Sequence, residues 1–253
     1  MSDIDYLGQF VKVWLAFNAW YRSAYTENQD RKIINEIKWQ GNPILSRLRP
    51  LLERDSDDAA QFRAEIALLH HRLEGYELFS GKGVEKTRIS FANIFLRERP
   101  PLAKTNNYYG YEFKVERLAN KQVNTEVKRN SSGVVVFQHN QANYTLADLE
   151  AQAGFSQTLS PTQQGVLRQL YAEVSPNWVE NLLTYQDPAT AVDIECGAYR
   201  FKCGKNALFA GMVEVLYQMR CILFHGELAP SKDAIACYEP AYRLVRRFLD
   251  CVT

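Results

Sequence analysis

Arg220 and His225 are the residues of this chain best suited to chemistry, separated by Cys221, Ile222, Leu223 and Phe224 and followed at once by Gly226. A guanidinium offers paired N–H donors that match two phosphate oxygens, and an imidazole takes up or releases a proton near neutrality. With neither a carboxylate pair nor a metal-ligand cluster beside them, they suit cleavage of RNA by its own 2′-hydroxyl. A neutral imidazole accepts the 2′-OH proton, an imidazolium protonates the leaving 5′-oxygen, and the guanidinium holds the phosphate as charge grows on it. Residues five apart on a helix are separated by about 140° around its axis. The pair therefore meets one substrate only if the helix ends near His225, or if a second copy of the chain completes the site. A two-fold axis near His225 would supply two histidines, so a homodimer through this helix is expected. The spacing also fits a plainer reading, in which His225 caps the helix and Arg220 pairs with Glu214 or Glu227.

The helix that must carry the pair is predicted over 206–224, where Leu208, Met212, Val215, Leu216, Met219 and Leu223 recur at helical spacing. Gly226 stands where a left-handed cap is expected, and Pro230 soon follows. A last helix from residue 231 onward buries Ile235, Tyr242, Leu244, Val245, Phe248 and Leu249 and presents Arg243, Arg246 and Arg247. At the other end of the chain, residues 4–25 place Phe10, Val13, Trp14, Phe17, Trp20, Tyr21 and Tyr25 on one stripe, with Asn18 and Arg22 embedded in it. Further helices are predicted over 30–38, 43–53 and, from a Ser56 cap, 56–76. Residues 91–96 fit a short helix or a strand. After Pro100-Pro101 the pattern changes, and residues 108–144 predict an antiparallel sheet of two to four strands with a hairpin at Asn130-Ser131-Ser132-Gly133. Helical signals return at 145–150, at Ser160-Pro161 and over 177–185, and 187–205 reads as loop.

The chain has 253 residues, 46% hydrophobic and 23% charged, enough for a sizeable core. No apolar run is expected to reach bilayer length, and the opening stretch has two acids and no basic residue before Lys12, unlike a secretory signal. A cytoplasmic setting without membrane attachment is the expectation. Thirty basic and twenty-nine acidic residues leave a net charge of +1, so RNA affinity must come from local clusters, of which Lys128-Arg129 and Arg246-Arg247 stand out. The five cysteines lie in the last quarter without a CxxC pair, which predicts reduced core thiols, no metal site and no cofactor. His70 and His71 are adjacent and cannot share a helix face. The Gly81-Lys82-Gly83 stretch with Lys86 and Arg88 lacks P-loop spacing. Tyr108, Tyr109, Tyr111 and Phe113 either stack bases or form the apolar face of the small sheet.

The run from Arg220 to Gly226, late in a long helix and followed by one amphipathic helix, resembles the Arg-x4-His motif of HEPN domains. The opening Trp14-Leu15-Ala16-Phe17-Asn18-Ala19-Trp20-Tyr21 is similar to the first helix of Apea-like bacterial HEPN proteins. The resemblance covers about the first 80 and the last 50 residues. It implies a mainly α fold, a HEPN-like antiparallel helical bundle of residues 1–99 and 201–253 with a β-containing insertion at 100–200. It also implies a homodimeric, metal-independent endoribonuclease of the toxin–antitoxin or phage-defence kind, with RNA as substrate and an antitoxin or neighbouring defence protein as partner. Arg220 and His225 become its catalytic pair, and Asn18, Tyr21 and Cys221 would line the cleft. The chain departs from the family pattern at Cys221, where active members commonly carry a polar residue after the arginine. The alternative is a non-catalytic module of the same kind that binds a nucleotide or a protein partner.

Overall fold

The computed structural model describes residues 5–80, 87–177, 179–184 and 193–253. In chain order, α1 (Tyr6–Ala24), α2 (Asp30–Trp39), α3 (Pro43–Leu48), a 3-10 turn (Arg49–Leu52) and α4 (Asp57–Gly75) lead to three short strands, β1 (Phe79–Ser80), β2 (Thr87–Arg88) and β3 (Ile94–Phe95). A four-stranded meander follows, β4 (Leu102–Tyr108), β5 (Tyr111–Arg117), β6 (Val123–Arg129) and β7 (Val135–Gln141). Then come α5 (Leu146–Ala151), α6 (Ala153–Thr158) and α7 (Pro161–Glu173), β8 (Val179–Glu180), the hairpin β9 (Asp193–Cys196) and β10 (Tyr199–Lys202), and the final helices α8 (Lys205–Phe224) and α9 (Lys232–Asp250). The chain divides into two compact units: Met1–Leu96 with Val179–Thr253, and Arg97–Trp178.

The expected mainly α, HEPN-like helical bundle is corrected by this architecture. About 52% of the chain is helix and 20% strand, and among the described residues the strands form four separate antiparallel sheets, so the fold is mixed α/β. Part of the difference lies in strands that sequence periodicity cannot register. The helix expected over 177–185 is replaced, where described, by β8 paired with β3 and by a turn in which Leu182 N–H donates to Phe91 O at 2.9 Å. In the segment read as loop, Ile194, Cys196 and Phe201 turn inward along β9 and β10, joined by Gly197 at φ +58°. The strands at 179–180 and 193–202 cluster with the first unit.

The helix starts follow from local chemistry. Asn42, Ser56 and Ser231 each accept a backbone N–H three residues on, and Ser160 with Gln163 completes a capping box before α7. In the first unit α1 lies against α9, where Phe10 meets Tyr238 at 5.1 Å and Phe17 meets Phe248 at 5.4 Å between ring centroids. The Tyr238 hydroxyl donates to Met219 O at 2.9 Å and ties α9 to α8. Among the described helices α8 alone has the length and apolar composition of a membrane span, so the expectation that no apolar run approaches that length does not hold for it. Its apolar residues from Leu208 to Ile222 are buried inside the unit. In the second unit the inner face of the meander, Phe113, Val115, Val123, Val127 and Phe137, packs with Leu149, Phe155, Leu167 and Tyr171 of α5 to α7.

His70, on the core face of α4, is 2% exposed and edge-on to Tyr199 at 4.5 Å, with Phe91 and Phe201 also against it. Burial pulls its pKa below the ordinary 6.5. The folded state therefore binds this proton less readily than the unfolded chain. Stability from the neutral ring is complete above that value and is lost as pH falls below it. Urea midpoints are expected to fall between pH 7 and pH 5, and His70→Phe should flatten that dependence. An unchanged slope in the variant would contradict the assignment.

Candidate functional site

The end of α8 is shaped by Gly226. With φ at +67° it lets its own N–H reach Leu223 O at 3.3 Å and the Glu227 N–H reach Ile222 O at 2.9 Å, the paired closure that ends a helix in a left-handed residue. His225 is left as the cap residue, exposed, its backbone N–H bonded to Cys221 O at 2.9 Å. Its side chain makes no hydrogen bond or ion pair among the described residues. One turn back, Arg220 is half-buried with its guanidinium 4.8 Å from the centre of the Phe224 ring. The helix ends at His225, and no hydrogen bond joins the two side chains among the described residues.

Arg220 pairs with Asp30, the first residue of α2, at 3.4 Å, not with Glu214 or Glu227. Asp30 also binds Arg22 of α1, whose other guanidinium nitrogen donates to Asn28 O at 2.7 Å. One carboxylate thus bridges two arginines and leaves the cluster net positive. Asn18 donates its amide to the Tyr21 hydroxyl. Burial is the largest influence on that phenol and pushes its pKa up, with Asp30 adding to the rise and Asn18, Arg220 and Arg22 opposing it. Asn18 and Tyr21 therefore belong to the neighbourhood of Arg220, but the Tyr21 ring is core, edge-on to Phe17 at 5.1 Å. Cys221 is half-buried one turn on from Tyr217, a phenol whose pKa burial raises to about 12. Sequence reading missed Asp30, since nothing local connects it with a residue 190 positions away.

Behind this surface α8 and α2 share a buried charge network. Glu214, 1% exposed, receives Lys38 Nζ at 2.5 Å, Arg31 Nη1 at 2.7 and 2.8 Å, and Gln218 Nε2 at 3.0 Å. Burial would raise the Glu214 pKa, but Lys38 and Arg31 together hold it below the ordinary carboxylate value. Arg31 also lies 4.3 Å over the Tyr217 ring. The network sets the register of α2 on α8 and so the position of Asp30 beneath Arg220.

The other candidates disperse. Arg247 is held by Glu65 at 2.6 Å and Asp58 at 2.7 Å, and Arg246 by Asp250 at 3.3 Å, so both are engaged within the first unit. Lys128 and Arg129 belong to the second unit, Lys128 paired with Glu112 at 2.9 Å and Arg129 exposed. His71 bonds the Tyr199 hydroxyl at 2.7 Å, and His139 lies 3.6 Å from Asp148. Residues 81–86 of the glycine-lysine stretch lie outside the described residues. All five cysteines are free, and burial raises the Cys196 and Cys203 thiols to about 12. A cleft of about 520 Å³ lined by Arg47, Arg54, Asp58, Arg247, Asp250 and Cys251 contains neither Arg220 nor His225. No protein-family model matches the chain, nor does any curated protein or solved structure.

Proposed function

We propose that the chain is a HEPN-type endoribonuclease that cleaves RNA by 2′-hydroxyl attack at the Arg220–His225 end of α8. The observation that supports this most is the placing of the pair. A helix buried along its body brings a guanidinium and a solvent-facing imidazole to its C-terminal end, with Asp30 and Arg22 forming a net positive cluster with that guanidinium. In the reaction one His225 takes the 2′-OH proton while the 2′-oxygen bonds to phosphorus. The P–O5′ bond breaks, and a second, protonated His225 gives its proton to the departing oxygen. The products are a 2′,3′-cyclic phosphate and a 5′-hydroxyl, and Arg220 neutralises the phosphorane oxygens. The second imidazole comes from a second copy of the chain. Because the body of α8 is taken up within the unit, the two-fold contact is at the helix end, where Phe224 is 39% exposed. A cytoplasmic toxin or phage-defence role, with an antitoxin or neighbouring defence protein as regulator, belongs to this reading.

The experiment is incubation of a mixed RNA pool with the purified chain in EDTA, followed by end-group analysis. Cyclic-phosphate ends that vanish with Arg220→Ala and His225→Ala support the proposal. Cleavage persisting in both variants would overturn it. Cys221 favours the second reading, a non-catalytic nucleotide- or protein-binding module, because a half-buried thiol supplies no strong donor to a phosphate. Intact RNA with measurable nucleotide binding would select that module.

A further inference from the structure

At one end of the four-stranded sheet two turns lie side by side. The β4–β5 turn is Tyr108-Tyr109-Gly110-Tyr111, and the β6–β7 turn runs through Asn130 to Val134. Asn130 N–H donates to Gly110 O at 2.8 Å, and the Asn130 amide reaches Asn107 Oδ1 at 3.3 Å, so the two turns form one surface. Tyr109 is 84% exposed, and Val134 and Val135 at the end of the other turn are 56% and 43% exposed. The Tyr109 backbone has φ at +44° and Gly110 has φ at +79°, the sign that a two-residue type I′ hairpin needs at both central positions. Asn-Gly satisfies that geometry with little cost, whereas a bulky aromatic at positive φ is disfavoured. The chain thus holds a large ring in solvent at a position where its backbone works against it.

We propose that these paired turns are a stacking surface for the bases of single-stranded RNA, with Tyr109 as the central ring. The ribonuclease reading enters only in the choice of RNA as ligand. Tyr108 meets Tyr109 edge-on at 4.5 Å and braces it, and the Arg129 guanidinium lies 5.7 Å from the Tyr111 ring centre. Rings beside a guanidinium are the combination that takes stacked bases with a phosphate between them. Residues 105–111 and 129–135 contain no carboxylate, and Arg129 is their one cation. The adjacent acid, Glu112, is already neutralised by Lys128 at 2.9 Å. The two turns themselves carry no negative charge to repel a polyanion, and the amides of Asn107 and Asn130 and the hydroxyls of Ser131 and Ser132 offer donors and acceptors to base edges.

The test is fluorescence anisotropy of the full chain with a labelled 2′-O-methyl oligoribonucleotide, which has no free 2′-hydroxyl and reads binding whether or not the chain cleaves RNA. Tyr109→Asn suits the turn, so its thermal unfolding should match or exceed that of wild type. Its affinity should fall about 5- to 100-fold, the loss of one stacked base. Arg129→Ala should weaken binding and flatten its salt dependence. Absence of binding by wild type, or full affinity in folded Tyr109→Asn, would overturn the proposal. So would a protein partner whose capture depends on Tyr109 while RNA binding does not. Loss of cleavage in His225→Ala with Tyr109-dependent binding absent would leave the ribonuclease reading standing and remove this one.

Discussion

Replacing His225 with alanine is expected to lower RNA cleavage by about 10² to 10⁴-fold, the usual contribution of a positioned proton-transfer group. Folding should change by no more than about 0.5 kcal/mol. The two halves of this expectation have separate grounds. The cap of α8 is closed by backbone bonds and by the positive φ of Gly226, none of which involves the imidazole. The ring is exposed and bonds to nothing described, so its removal leaves no buried group unsatisfied. Cleavage of a fluorescent RNA in EDTA and a urea melt of the same preparation make the pair of measurements. Full activity in a folded His225→Ala variant would end the assignment. Arg220→Ala is the less selective probe, because it also takes from Asp30 one of its two arginine partners and leaves only Arg22.

The largest loss of stability is expected from Glu214→Ala, about 3–5 kcal/mol, because it leaves Lys38 buried without its counter-ion. Lys38 is fully enclosed, and its remaining contacts, Asn35 Oδ1 at 3.1 Å and Leu96 O at 3.5 Å, carry no full charge. Arg31 is 43% exposed and can turn to water, so the damage falls on Lys38. Replacing both members of the buried pair, as Glu214→Leu with Lys38→Met, removes both charges together and should recover most of the loss. Urea denaturation of the single and double variants measures the difference. A single variant within about 1 kcal/mol of wild type would show that Lys38 finds water or another partner, contrary to its burial. Because the network seats α2 on α8, the single variant should also reduce any activity that depends on Asp30 meeting Arg220.

Much of the local structure was legible in the sequence. The stripe from Phe10 to Tyr21, the caps at Ser56, Ser160 and Ser231, and the left-handed Gly226 are encoded in residues within one or two turns of each other. So is the turn at Asn130-Ser131-Ser132-Gly133. Periodicity and capping need only such neighbours, so these elements follow from sequence alone. Arg220 and His225 were legible as a candidate pair for the same reason, since one helix carries both. What tertiary structure decided is of another kind. Strands β3 and β8 are two residues long and exist because residues some 85 positions apart meet and pair, which no local pattern announces. With the β9–β10 hairpin they turn an expected helical bundle into a mixed fold. The same limit hid the partner of Arg220: Glu214 and Glu227 were near in sequence, but Glu214 is drawn to Lys38 and Arg31 across the α2–α8 contact, and Asp30 takes the arginine instead. Charges choose partners by distance in space, and that distance is set only when the helices pack.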